Sequence, residues 1–250
     1  MTSFISFQEE MRKVEELMTE EISFKSSKLD DLLDIRLSNL DQKLCPALVL
    51  AVGSMAQEKS SRIISLAAVV QYIYLAHHIH GLVTDEEMSD RGRQYPVLVG
   101  DFMFGQAFLK ICEADLSDYA SQFVKVIGTM NEGILLRWRL KNKNISAKQY
   151  RVIIGKERGA LLALASKLGG ELAGLKEPHL RKVEDFGFAL AMAWAAWEDS
   201  LYYYMVTESL EKAKAIIAEL SSNLPVGPLQ ELYDFFNSEV KLKALQVSVK

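Results

Sequence analysis

The sequence predicts an all-α fold, and three observations carry that prediction. No proline occurs between Pro96 and Pro178. Apolar residues recur at three- and four-residue steps rather than alternating, which is the helical period. There is no fixed-period repeat, no low-complexity tract and no Pro/Gly/Ser-rich linker. With 250 residues, 49% of them hydrophobic and 25% charged, residues 1–250 are therefore expected to form one all-helical domain.

The elements follow in order. Residues 4–40 read as one or two amphipathic helices. Pro46 is expected in the first turn of the helix that runs through ALVLAVGSMA, because a missing N–H is harmless there. Ser60-Ser61 caps a long apolar helix over 62–84. The polar stretch DEEMSDRGRQ interrupts the pattern, and a second buried helix, VLVGDFMFGQAFLKI, starts at Pro96. Further helices are expected near 116–140, 147–170, 179–206, 207–220 and 228–243. Glycines such as Gly100, Gly133 and Gly187 fall within these patterns. Each costs up to about 1 kcal/mol relative to alanine in a helix, so their number implies close helix packing.

Residues 63–84 carry no formal charge over about the length of a membrane span. They include Gln71, His77, His78 and His80, which a lipid interior would leave without partners, so a core helix is expected and no transmembrane segment. A net charge of -4, from 29 basic and 33 acidic side chains, gives no basic excess to hold the chain on nucleic acid. Two cysteines and a charged amino-terminal stretch point to a reduced, cytoplasmic protein. The cluster His77-His78-x-His80 places only two rings on one helix face and reads as core or interface histidines rather than a metal centre. Arg137-Trp138-Arg139-Leu140-Lys141 reads as a helix end whose cations oppose the macrodipole. Phe102, Met103, Phe104, Trp194, Trp197 and Tyr202 to Tyr204 read as core or subunit interface.

Several stretches, in chain order, resemble the trans-polyprenyl diphosphate synthases. Pro46-Ala47-Leu48-Val49-Leu50 is similar to the helix after that family's Gly-Lys-x-x-Arg-Pro loop. Ile79-His80 matches the lead-in to the first DDxxD box, and Val97-Leu98-Val99-Gly100-Asp101 matches the helix beyond it. Glu132-Gly133, the stretch 150–170 and FGFALAMAWAAWEDSLY complete the order. The resemblance implies the isoprenoid synthase bundle, in which all-α helices surround a central cavity.

The same alignment implies a degenerate member. The first box reads Gly81-Leu82-Val83-Thr84-Asp85 and the second Glu198-Asp199-Ser200-Leu201-Tyr202. Of the carboxylates that would gather magnesium around a diphosphate, Asp85, Glu198 and Asp199 remain as metal candidates. The loop lysine and arginine fall on Gln42 and Cys45, leaving Lys43. The Arg-Arg-Gly loop becomes Asp90-Arg91-Gly92, which sets a carboxylate where a guanidinium would meet phosphate. Lys43, His80, Arg91 and Lys156 are the remaining substrate-binding positions, and no residue is assigned as catalytic. Lys156 and Arg158 fit an ordinary exposed helix face nearly as well as a phosphate contact. Glu198 and Asp199, set in an apolar helix, need either solvent or an internal cation.

What the resemblance implies is the non-catalytic small subunit of a heteromeric polyprenyl diphosphate synthase, similar to the first component of a bacterial heptaprenyl diphosphate synthase and serving quinone side chains. Its partner would be a catalytic synthase subunit, in a heterodimer or heterotetramer, or a second copy in a homodimer. Magnesium would be held mainly by the catalytic partner, with isoprenoid diphosphates as ligands. Two alternatives stay open: a self-sufficient prenyltransferase or terpene-type enzyme with a reduced metal set, and an isoprenoid-binding protein.

Overall fold

The structure is a computed structural model that describes residues 4–22, 37–55, 60–83, 90–141 and 143–248. It is all-α, with no strand among the described residues. A short 3₁₀ turn, Ile5–Phe7, leads into α1 (Gln8–Ile22). Then follow α2 (Asn39–Gly53), α3 (Ser61–Gly81), α4 (Asp90–Glu113), α5 (Ala120–Arg139), α6 (Ala147–Ile154), a π-turn (Gly155–Gly159) that continues into α7 (Ala160–Leu172), α8 (His179–Asp199), α9 (Tyr204–Leu220) and α10 (Gly227–Ser248).

Local chemistry starts several of these. Ser38 and Asp41 form a capping box on α2, with Ser38 Oγ accepting from the Asp41 N–H at 3.2 Å and the Asp41 carboxylate accepting from the Ser38 N–H at 2.8 Å. Ser146 and Gln149 do the same for α6. Ser60 caps α3 by accepting from the Arg62 N–H.

Both prolines expected at helix starts lie inside helices. The capping box starts α2 seven residues before Pro46, and α4 begins at Asp90, six residues before Pro96. An interior proline costs one intrahelical hydrogen bond. In α2 every residue from Leu44 through Gly53 is buried, and that packing outweighs the lost bond. The helix expected over 179–206 is divided, because Ser200 and Tyr202 are left-handed (φ 54° and 52°) and end α8 at Asp199.

Helix α3 is long and apolar enough to cross a membrane, yet 72% of its most apolar window is buried within the bundle. It packs against α1, α2, α4 and α7. Helices α7 and α8 pack against each other, and α9 lies along α8. Gly187 allows the α7–α8 contact, since a Cβ there would lie 2.4 Å from the Leu162 carbonyl oxygen. The amino terminus is tied to α10, where Glu231 accepts from Ser6 N and Ser6 Oγ at 3.0 and 2.6 Å.

Candidate functional site

A cavity of about 300 Å³ lies between the carboxyl-terminal half of α3, α5, the π-turn and the end of α8. Tyr74, His77, His78, Ile134, Ala195 and the charged residues Arg137, Glu157, Arg158 and Asp199 line it. The π-turn matters here: one extra residue per hydrogen-bonded ring widens the helix locally, and Glu157 and Arg158 reach the cavity from consecutive positions.

The charges are paired within the chain. Arg137 donates to Glu157 through Nε at 2.8 Å and Nη2 at 2.6 Å, and to Asp199 through Nη2 at 3.0 Å. Tyr150 OH donates to the same Asp199 oxygen at 2.9 Å. Arg158 donates to Glu198 and lies over the Trp194 ring, 4.3 Å from its centroid, and over Tyr74 at 5.9 Å. Burial opposes the Arg137 charge, but the Glu157 and Asp199 contacts outweigh it and hold the guanidinium protonated more firmly than usual. The Tyr150 phenol is pushed up by burial and then by Asp199, so it stays a donor.

A second cluster underlies the cavity. Tyr74 OH donates to Asp41 Oδ1 at 2.5 Å and Gln71 Nε2 donates to the Asp41 carbonyl at 2.7 Å. Burial would raise the Asp41 pKa, yet bonds from Tyr74 and Ser38 prevail and keep it below the usual carboxylate range. Here Asp41 serves the helix cap and the core at once.

The polyprenyl synthetase profile matches residues 27–226. The chain belongs to the polyprenyl synthetase family. Similar proteins include octaprenyl diphosphate synthase of Escherichia coli, 25% identical over 72% of this chain and 58% of its own length. Another is heptaprenyl diphosphate synthase component 2 of Geobacillus stearothermophilus, 23% identical over 96% of this chain and 77% of its own length. The sequence features had likened the chain to a first component; this match is to a second. Polyprenyl synthase from Caulobacter crescentus, solved with calcium and isoprenyl diphosphate, superposes with a TM-score of 0.77 at 21% identity, over 92% of this chain and 95% of that one. The chain thus spans well under two thirds of the octaprenyl synthase.

Within the family fold, the residues singled out by sequence separate into groups. Glu198 and Asp199 are brought together at the end of α8, each engaged by a guanidinium. Lys156 is paired with Glu132 at 2.6 Å and is absent from the cavity lining. Lys43 faces a groove against α1 with Phe4, Met11 and Arg12. His80 Nε2 lies 3.2 Å from the Val97 carbonyl oxygen and 3.3 Å from Asp101, so it clamps α3 to α4. Its ring sits on Gly100, where a Cβ would lie 2.2 Å away. Asp85 is outside the described residues, as is the side chain of Arg91. Met103, read as core or interface, is fully buried.

The described residues do not fit a magnesium cluster. No group of three or more His, Cys, Asp or Glu side chains among them is placed to hold a metal ion. Helix α8 stops at Asp199, and the box's fifth position, Tyr202, turns away to donate to the Ile145 carbonyl at 2.5 Å. Three carboxylates, Glu157, Glu198 and Asp199, face two guanidiniums, Arg137 and Arg158, so no cation of this cluster is left over for a diphosphate. The sequence reads Arg137 as a helix-end cation and Arg158 as either a helix face or a phosphate contact, and neither as the partner of these acids. The one signal for them was the pair of acids in the apolar α8 pattern, which required an internal cation.

His77 supplies a pH-dependent contribution. Burial lowers its pKa to about 4, against a smaller opposing effect of the Met130 backbone, and Nε2 has no partner among the described residues. His78 is lowered in the same direction, first by burial. A histidine whose folded pKa lies below its unfolded value near 6.5 stabilises the fold above pH 6.5, and this contribution is lost as pH falls from 6.5 toward 4. Stability should decline by up to about 3 kcal/mol over that window on account of His77. Urea midpoints at pH 7, 5.5 and 4.5 should show a shallower decline in His77→Gln; an unchanged slope in the variant would refute the assignment.

Proposed function

We propose that this chain is the non-catalytic subunit of a heteromeric polyprenyl diphosphate synthase, folded as a single all-helical domain and located in the cytoplasm. The observation that carries the proposal is the pairing of Glu198 with Arg158 and of Asp199 with Arg137. Carboxylates neutralised by their own chain are poor magnesium ligands, and electrostatic stabilisation of the departing charge is usually the largest catalytic contribution. The partner supplies both carboxylate boxes, holds magnesium and performs the condensation. This chain steadies the partner and helps to shape the cavity that limits product length, with the product serving quinone side chains.

Two surface features support a partner. On α4, Leu98 is 65% exposed, and Leu109, three turns on and on the same face, is exposed with its neighbour Phe108. On α5, Val124, Leu135 and Trp138 recur at helical spacing, and all three are exposed. Two such strips exceed what isolated surface apolar residues require.

The test is product formation. The purified chain with magnesium, isopentenyl diphosphate and an allylic primer should make no product, whereas addition of a synthase with two complete DDxxD boxes should form a complex visible by light scattering and alter product length. Turnover by the chain alone on the usual enzymatic scale, about 1 per second or faster, would overturn the proposal.

A further inference from the structure

Four helix ends converge on one side of the molecule: the carboxyl ends of α5 and α8 and the amino ends of α6 and α9. The Arg137–Asp199 pair, the Tyr202–Ile145 hydrogen bond and the Arg151–Glu208 pair at 2.8 Å tie them together. We propose that this side is a docking surface for an anionic phospholipid bilayer, a partner that the subunit role does not supply.

The composition of the surface is the first argument. Leu201, Tyr203, Tyr204 and Val152 are all exposed, Tyr204 at 55%. They are not scattered, because Tyr204 is one of the groups that interact with Arg151, one residue before Val152. The left-handed residues Ser200 and Tyr202 bracket Leu201 and turn the chain sharply at this corner. Tyrosine has an apolar ring and a polar tip, so it suits the boundary between acyl chains and headgroups.

Charge complementarity is the second argument. Arg139, Lys141, Lys143 and Lys148 are exposed on the same side, and none forms an ion pair among the described residues. Two acids on these helix ends are already engaged: Glu208 by Arg151, and Asp199 by Arg137 and Tyr150. A chain of net charge -4 therefore presents a local cationic rim around an apolar patch. Protein interfaces are depleted in lysine at their centres, and aliphatic Leu201 and Val152 have nothing to stack on in a nucleic acid. An anionic bilayer satisfies both halves, since cations meet phosphate headgroups while the apolar side chains enter the interface. Asp199, which lines the cavity between α3, α5 and α8, stands at this same end.

Flotation of the purified full chain with vesicles tests this without any synthase, so its outcome is separate from that of the subunit proposal. Binding to phosphatidylcholine vesicles containing phosphatidylglycerol should be at least tenfold tighter than to phosphatidylcholine alone, and should weaken as salt rises. Each cation at a membrane surface is worth roughly fivefold in affinity, so Lys141→Glu/Lys143→Glu/Lys148→Glu should bind about a hundredfold more weakly or worse. Leu201→Ser/Tyr203→Ser, with an unchanged helical circular-dichroism spectrum, should lose roughly tenfold. Equal binding to neutral and anionic vesicles, no binding to either, or full binding by the triple-lysine variant would overturn the proposal. Binding of duplex DNA as tightly as of vesicles would overturn it too, by showing a general polyanion surface.

Discussion

Arg158→Ala is expected to lower stability by about 2–4 kcal/mol, because it removes one partner of a partly buried ion pair and leaves the other without compensation. The Arg158 side chain is only 16% exposed, its guanidinium covers Trp194, and its loss leaves the half-buried Glu198 carboxylate without its cation. For a chain of this size each kcal/mol is worth roughly 2–4 °C in Tm, so a fall of the order of 10 °C should be visible by thermal circular dichroism. Arg158→Met/Glu198→Leu should recover much of it, since an apolar pair of similar volume escapes the desolvation cost. A change below about 0.5 kcal/mol, the range of ordinary surface substitutions, would mean that the pair does not hold this end of the cavity together.

Gly187→Ala should be as costly, by a different route. The new Cβ would lie 2.1 Å from Ser166 Oγ and 2.4 Å from the Leu162 carbonyl oxygen. Ser166 is fully buried and donates to that same carbonyl at 2.9 Å, so its hydroxyl cannot swing aside without losing its acceptor. The Leu162 oxygen belongs to the backbone of α7, so relief requires α7 and α8 to separate. Overpacking of this kind typically costs about 1–3 kcal/mol, and a backbone clash places the expected loss at or above the top of that range. Ser166→Ala should rescue it only in part. Gly128→Ala, where a Cβ would meet nothing within 4 Å, should be neutral or slightly stabilising. Equal Tm values for the two alanine variants would show that α7 and α8 are not closely packed at Gly187.

The helical class was legible because helix periodicity is a local property. The apolar period and the Ser60 cap are each readable within a turn or two, and α3, α5 and α9 lie close to where that pattern puts them. Helix boundaries were less legible where long-range contacts overrule local preference. Pro46 reads as a helix start, but buried neighbours from Leu44 to Gly53 keep α2 continuous through it. The stretch 198–202 reads as helix, but the bonds of Asp199 to Arg137 and Tyr150, and of Tyr202 to Ile145, hold a break at Ser200.

By itself, then, the sequence determined that the chain is all-helical, that the stretches resembling the family's two DDxxD boxes read Gly81-Leu82-Val83-Thr84-Asp85 and Glu198-Asp199-Ser200-Leu201-Tyr202, and that two acids in α8 need either solvent or a cation. Only the tertiary structure decided which cations they meet. Arg137 lies 62 residues from Asp199 and Arg158 lies 40 residues from Glu198. Neither distance corresponds to a helical period, and both contacts exist because α5, the π-turn and the end of α8 converge on one cavity. The tertiary structure likewise removed Lys43, His80 and Lys156 from that cavity. Residue type sets the charge available to a site, but the direction in which each helix face points determines which charges share it.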